Sequence, residues 1–166
     1  MENNRLARLF IKLYKPVISL SEKFDENKEY ILVGNHIGKY DPILLSLLNR
    51  NMKFILPEDR LIYYGLNRSI IDLSDKNIDN LRKGIVEIVD SRISCLFPLN
   101  INCELDNDNF YELLIRSNKL IMPFGIKGSY KLSDDIILNL GYSFSPNDYS
   151  KKLKEKISNE VKRLIK

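Results

Sequence analysis

Apolar positions along this chain follow two rhythms: short runs of β-formers, and longer stretches in which every third or fourth residue is apolar. The runs Tyr30–Gly34, Met52–Leu56, Ser69–Leu73 and Ile93–Phe97 predict strands, the second closed by Pro57 and the fourth by Pro98. Lys119–Ile126 predicts another, which Pro123 places at an edge or a bulge because proline has no ladder donor. Ile136–Phe144 is the last, broken by Gly141. Helical spacing appears first over residues 4–20, where Leu6, Leu9, Phe10, Leu13, Tyr14, Val17 and Ile18 share a face. Pro16 should kink or end that helix near Tyr14 or Lys15. Asp59–Asn67 predicts a short helix and loop. Residues 75–90 give the clearest helix, with Ile78, Leu81, Ile85, Ile88 and Val89 on its apolar face. Phe110–Ile115 is a shorter one, and residues 147–165 close the chain on Leu153, Ile157, Val161, Leu164 and Ile165.

Strands alternating with helices predict an α/β fold, a mostly parallel sheet covered by helices on both faces. The division expected is a basic amphipathic N-terminal helix, 1–20, followed by a single α/β domain, 21–166. With 166 residues, 44% hydrophobic and 29% charged, the chain is long enough for a substantial core. Richness in Ile, Lys and Asn beside a single Ala reads as genomic bias, as in an AT-rich bacterium.

Charge and cysteine content narrow the chemistry. A net charge of +4 suits an anionic membrane surface or phosphate-bearing substrates without requiring either. Arg5, Arg8, Lys12 and Lys15 flank the N-terminal apolar stripe, so that helix either lies in a membrane interface or packs on the domain. Cys95 and Cys103 form no CxxC pair, and one histidine excludes the usual multi-histidine zinc sites, so no metal is expected. Cys95 lies in a predicted strand and reads as an inert core thiol. There is neither an apolar run long enough to span a bilayer nor a small-residue cleavage site. The expectation is a cytoplasmic protein, peripheral to the inner face of the membrane.

The chemistry concentrates in Asn35-His36-Ile37-Gly38-Lys39-Tyr40-Asp41-Pro42, which holds the one histidine of the chain. It follows a predicted strand and leads into a helix that Asp41 would cap and Pro42 would open. Four residues separate imidazole and carboxylate, short enough for the two to meet. Asp41 can then hold one ring nitrogen and leave the other as a base. The alternative for His36 is a structural histidine bonded to a nearby carbonyl.

Asn-His, four residues, then Asp-Pro resembles the first signature of the glycerolipid (lysophosphatidate-type) acyltransferases. The resemblance implies an acyltransferase-like α/β fold with His36 as general base and Asp41 as its orienter. It implies transfer of a fatty acyl group from acyl carrier protein or acyl-coenzyme A to the hydroxyl of a lysophospholipid or related polar lipid. The thioester is a co-substrate, there is no bound cofactor, and no nucleic-acid partner is expected.

Later signatures are eroded. Where the family has Ile-Asp-Arg, Ile71-Asp72 are followed by Leu73. Phe97 and Pro98 match the start of Phe-Pro-Glu-Gly-Thr-Arg, but Leu99, Asn100, Ile101 and Asn102 follow. Ile121-Met122-Pro123 with Gly125, Ile126, Lys127 and Gly128 resembles the fourth signature. Substrate-binding roles are thus expected for Asn35, Lys39, Phe97 and Pro98, with Arg68 and Lys127 substituting for the missing cations; for any single cation a solvated surface charge is the stronger reading. Lys53 and Arg60 are weaker substitutes, and Cys103 a remote alternative nucleophile. The rival reading is a non-catalytic relative that binds lipid or acyl carrier protein in the old pocket.

Overall fold

The structure, a computed structural model, describes residues 3–25, 27–49, 51–56, 70–72, 85–99, 109–132, 134–149 and 152–166. Seven strands form one sheet: β1 (Val17–Leu20), β2 (Tyr30–Asn35), β3 (Lys53–Leu56), β4 (Ile70–Asp72), β5 (Ile93–Leu99), β6 (Leu120–Gly128) and β7 (Ile136–Leu140). Their order is β1-β7-β6-β2-β5-β3-β4, parallel throughout except for the β6–β7 pair. The helices are α1 (Asn3–Tyr14), α2 (Asp41–Leu45), α3 (residues 85–90), α4 (Asn109–Ser117) and α5 (Leu153–Leu164), with a 3₁₀ turn at Pro146–Tyr149.

β2 is central and buried along its whole length, which explains its unbroken apolar sequence. Its side chains alternate between two cores. Tyr30 and Leu32 join Phe10, Leu44, Leu45, Phe97, Met122 and Phe124 beneath α1 and α2. Ile31 and Val33 join Ile88, Leu114, Ile157 and Val161 beneath α3, α4 and α5. Both faces are therefore covered, as the alternation of elements predicts. Gly34 is required where β2 meets β6, since a Cβ there would lie 2.3 Å from the Phe124 carbonyl oxygen.

Three expectations are corrected. The N-terminal helix does not run to residue 20: it ends at Tyr14, where Pro16 is expected to end it. Lys15, pushed out of the right-handed region by Pro16, has φ +42, and Val17–Leu20 then pair with β7 as the edge strand β1. Residues 3–20 are thus helix plus strand, and the β-branched Val17 and Ile18 extend once proline has ended the helix. Second, Pro123 lies inside the sheet and not at its edge. Its carbonyl faces β7 and accepts from Gly141 N at 2.8 Å, so its missing donor falls on the same side, just past the Phe124–Leu140 pair that begins the β7 ladder. Third, the last strand ends at Leu140, and Phe144 returns to Ile121 as an isolated bridge.

On the α3 side, Lys119 is buried and its ammonium donates to the carbonyls of Ile88 and Val89, both at 2.8 Å, and to that of Ser91. A cation at the carbonyl end of α3 is favoured by the helix dipole and by three orphan acceptors. Burial nevertheless lowers its pKa, against the opposing pull of Glu29 and Asp90. The predicted short helix at 59–67, most of the helix at 75–90 and residues 100–108 lie outside the described residues.

Candidate active site

The carboxyl ends of β2, β5 and β6 lie together because these strands are parallel neighbours. In open α/β sheets that end is where ligands bind. His36 follows β2 directly and sits against Phe97 of β5, with ring centroids 5.0 Å apart. Phe97 in turn stands edge-on to Phe124 of β6. Between Val33 and Asn35, β5 carries one extra residue, so a bulge falls at Phe97–Pro98, where the proline's missing donor is harmless.

His36 Nδ1 lies 2.6 Å from Asp41 Oδ2. The same oxygen accepts the backbone N–H of Ile37 at 2.7 Å and of Gly38 at 3.1 Å. The other oxygen, Oδ1, accepts the phenolic hydroxyl of Tyr130. Asp41 is fully buried, while the His36 side chain keeps 16% exposure. Four donors converging on one buried carboxyl make an environment for an anion. A carboxylate only accepts, so Nδ1 carries the proton in that contact and Nε2 keeps its lone pair.

Asp41 reaches this position differently from the expected N-cap. Tyr40 occupies the cap without a side-chain bond, and Pro42 takes the first turn. The carboxylate instead turns back over the loop that carries the histidine, binding the amides that precede the helix. The loop is closed further by Asp41 N donating to Gly38 O at 3.0 Å.

The other expected site residues divide. Asn35 is buried and ties β2 to β6: Nδ2 donates to Ile126 O, and Ile126 N donates to Oδ1, both at 2.8 Å. It braces the site. Lys39 is exposed on the same turn, its ammonium 5.1 Å over the Tyr40 ring. Pro98 is placed by the β5 register beside the end of β2. Lys127 is directed to the α5 side, donating to the Lys166 carbonyl at 2.8 Å, and is not brought to His36. Lys53 pairs with Glu87 at 3.2 Å. Arg60, Arg68, Cys103 and the rest of residues 100–108 lie outside the described residues. Cys95 is buried, and its thiol is pushed well above its ordinary pKa by desolvation and, secondarily, by the Asp41 charge.

Tyr130 is the residue that sequence reasoning missed. It lies 89 positions from Asp41, and only the parallel pairing of β6 with β2 brings it there. Its ring joins Phe10, Tyr14 and Tyr40 in one aromatic cluster, centroids 5.3–6.1 Å away.

No protein-family model matches the sequence. No curated protein matches it either. Among solved structures, it is similar to the 1-acyl-sn-glycerophosphate (LPA) acyltransferase PlsC of Thermotoga maritima, at 14% identity, covering 98% of this chain and 76% of that one, with a TM-score of 0.72. The chain therefore has the fold of that acyltransferase.

Proposed function

We propose that this chain is an O-acyltransferase that moves a fatty acyl group from an acyl carrier protein or coenzyme A thioester to the hydroxyl of a lysophospholipid or related polar lipid. The observation that carries the reading is the 2.6 Å contact between His36 and a buried Asp41 at the carboxyl end of the central strands. The fold shared with a lysophosphatidate acyltransferase supports it. In the reaction, His36 Nε2 takes the proton of the acceptor hydroxyl as its oxygen attacks the thioester carbonyl carbon. The C–O bond forms, the intermediate collapses with cleavage of C–S, and the departing thiolate recovers the proton from the imidazolium. Asp41 keeps the tautomer fixed and stabilises the transient cation, help of the kind that typically contributes about a hundred- to ten-thousand-fold in rate.

The outer side of α1 supports a reaction at a membrane surface. Leu9, Ile11 and Leu13 are exposed there, and Arg8 and Lys12 lie among them. Val17 and Leu20 of β1 add two more exposed apolar side chains. Among the described residues no helix is long and apolar enough to cross a bilayer, so contact of this kind would be interfacial. Lys39, on the same turn as His36, is the cation best placed to meet an acceptor phosphate; Arg68 is a further candidate.

The test is turnover by the purified chain with acyl-carrier-protein and acyl-coenzyme A thioesters against a panel of lyso-lipids. His36→Ala should abolish acyl transfer, while Lys152→Ala on the exposed end before α5 should not. Lipid binding without turnover, unchanged in His36→Ala, would mean a receptacle and not an enzyme.

A further inference from the structure

We propose that Tyr130 is a positioning residue of this site: by donating its hydroxyl proton to Asp41 Oδ1, it fixes the carboxylate that fixes the His36 imidazole. The inference rests on the acyltransfer reading for its kinetic consequence, but its geometry is independent of that reading.

A carboxylate turns easily about its last torsion, and three donors on Oδ2 leave Oδ1 to be satisfied separately. Asp41 has no exposure to water, so an unpaired Oδ1 would be costly. Tyr130 supplies that partner, and its ring is built into place. It stands edge-on to Tyr14 of α1 and to Tyr40 beside α2. Its ring lies close to Gly38, where a Cβ would come to 3.1 Å from Cδ2. The small residue two positions after the histidine is thus what admits the tyrosine. The phenol restrains the acid from the side opposite the imidazole, and its proton draws off part of the carboxylate charge.

Among the described residues, the ionisable groups around the pair are Lys39 and Tyr40 on the same turn, Tyr14 from α1, Cys95 from β5 and Tyr130 itself. Cys95 stays protonated in its buried position. Removing the Tyr130 hydroxyl leaves the full carboxylate charge facing the imidazole, which then holds its proton more strongly.

Tyr130→Phe keeps the ring and deletes the bond. With palmitoyl-coenzyme A and lysophosphatidate, kcat should fall about ten- to a hundredfold, the range for a lost bond to a charged group, with both KM values nearly unchanged. The acid limb of the pH–rate profile should move to higher pH. Because the chain has one histidine, NMR follows that imidazole without ambiguity and without turnover. Its titration midpoint should rise in Tyr130→Phe and stay put in Tyr142→Phe, an exposed tyrosine. A midpoint indistinguishable from wild type overturns the proposal, as does slower turnover with an unmoved pH profile. If the wild-type chain transfers no acyl group, the acyltransferase reading fails, and the imidazole titration still decides the role of Tyr130.

Discussion

The side-chain amide of Asn35 and the backbone of Ile126 exchange two hydrogen bonds of 2.8 Å each, 91 positions apart in sequence. The amide carries both a donor and an acceptor, so it imitates one more residue of ladder where β2 ends and the histidine loop begins. This clamp holds His36 and the segment leading to Tyr130 at the same end of the sheet.

Asn35→Ala should therefore destabilise the chain by about 2–4 kcal/mol, because it strands a buried N–H and a buried carbonyl together. Urea unfolding measures this. Asn35→Asp restores an acceptor for the amide but faces the carbonyl with a charge, and should rescue nothing.

Leu9 and Leu13 are each about half exposed on α1. If that surface meets lipid, Leu9→Ser with Leu13→Ser should weaken binding to anionic phospholipid vesicles tenfold or more, on the scale of about 1–2 kcal/mol of lost apolar burial. Sedimentation with vesicles reports the change. Folding should be little affected, since Phe10 and not these leucines enters the core.

Lys119→Met should destabilise by about 2–3 kcal/mol, since three carbonyls at the end of α3 and the following turn lose one shared donor. Thermal unfolding of the variant tests it. Lys119→Arg should recover only part of the loss, because a planar fork does not fit a site shaped for a point charge.

Glu160 carries a pH-dependent part of the stability. The hydrogen bond from Lys156 lowers its pKa, with help from Arg163 and against its partial burial. A depressed folded value means that the unfolded chain binds the proton first as pH falls. The stabilisation is thus present above the ordinary glutamate value near ~4.3 and disappears as pH drops through the folded value. Glu160→Gln should flatten the loss of stability in that acid window and leave the neutral-to-alkaline profile unchanged, by denaturant titration at stepped pH.

Much of the frame was readable because burial on both faces writes a continuous apolar run. β2, β3, β4 and β5 stand within a residue or two of their predicted spans, and α4 and α5 overlap theirs. The His36–Asp41 contact was readable because it is local: strand, four residues, Asp-Pro. β1 was hidden because Val17 and Ile18 continue the apolar stripe of α1 in phase, and periodicity alone does not tell a helix from the strand that extends it. Pro123 misled because its effect depends on which neighbour its nitrogen faces, a property of pairing and not of sequence. Tyr130 left no local signal. It is one of nine tyrosines, and its meaning comes from a strand pairing that joins distant segments. Lys127 has the expected residue type in the expected strand, yet alternation aims it at α5.

The middle strand has a consequence for how the chain is made. β2 is synthesised before its two flanking strands, β5 and β6, which follow some sixty and ninety positions later. Until they emerge, a segment destined for burial along its whole length has no lateral partner, and the imidazole and its acid wait unbraced. The site is therefore completed only once β6 and the turn carrying Tyr130 have been made. A chain stalled before β6 would leave β2 open on one side and Asp41 Oδ1 without its phenolic donor.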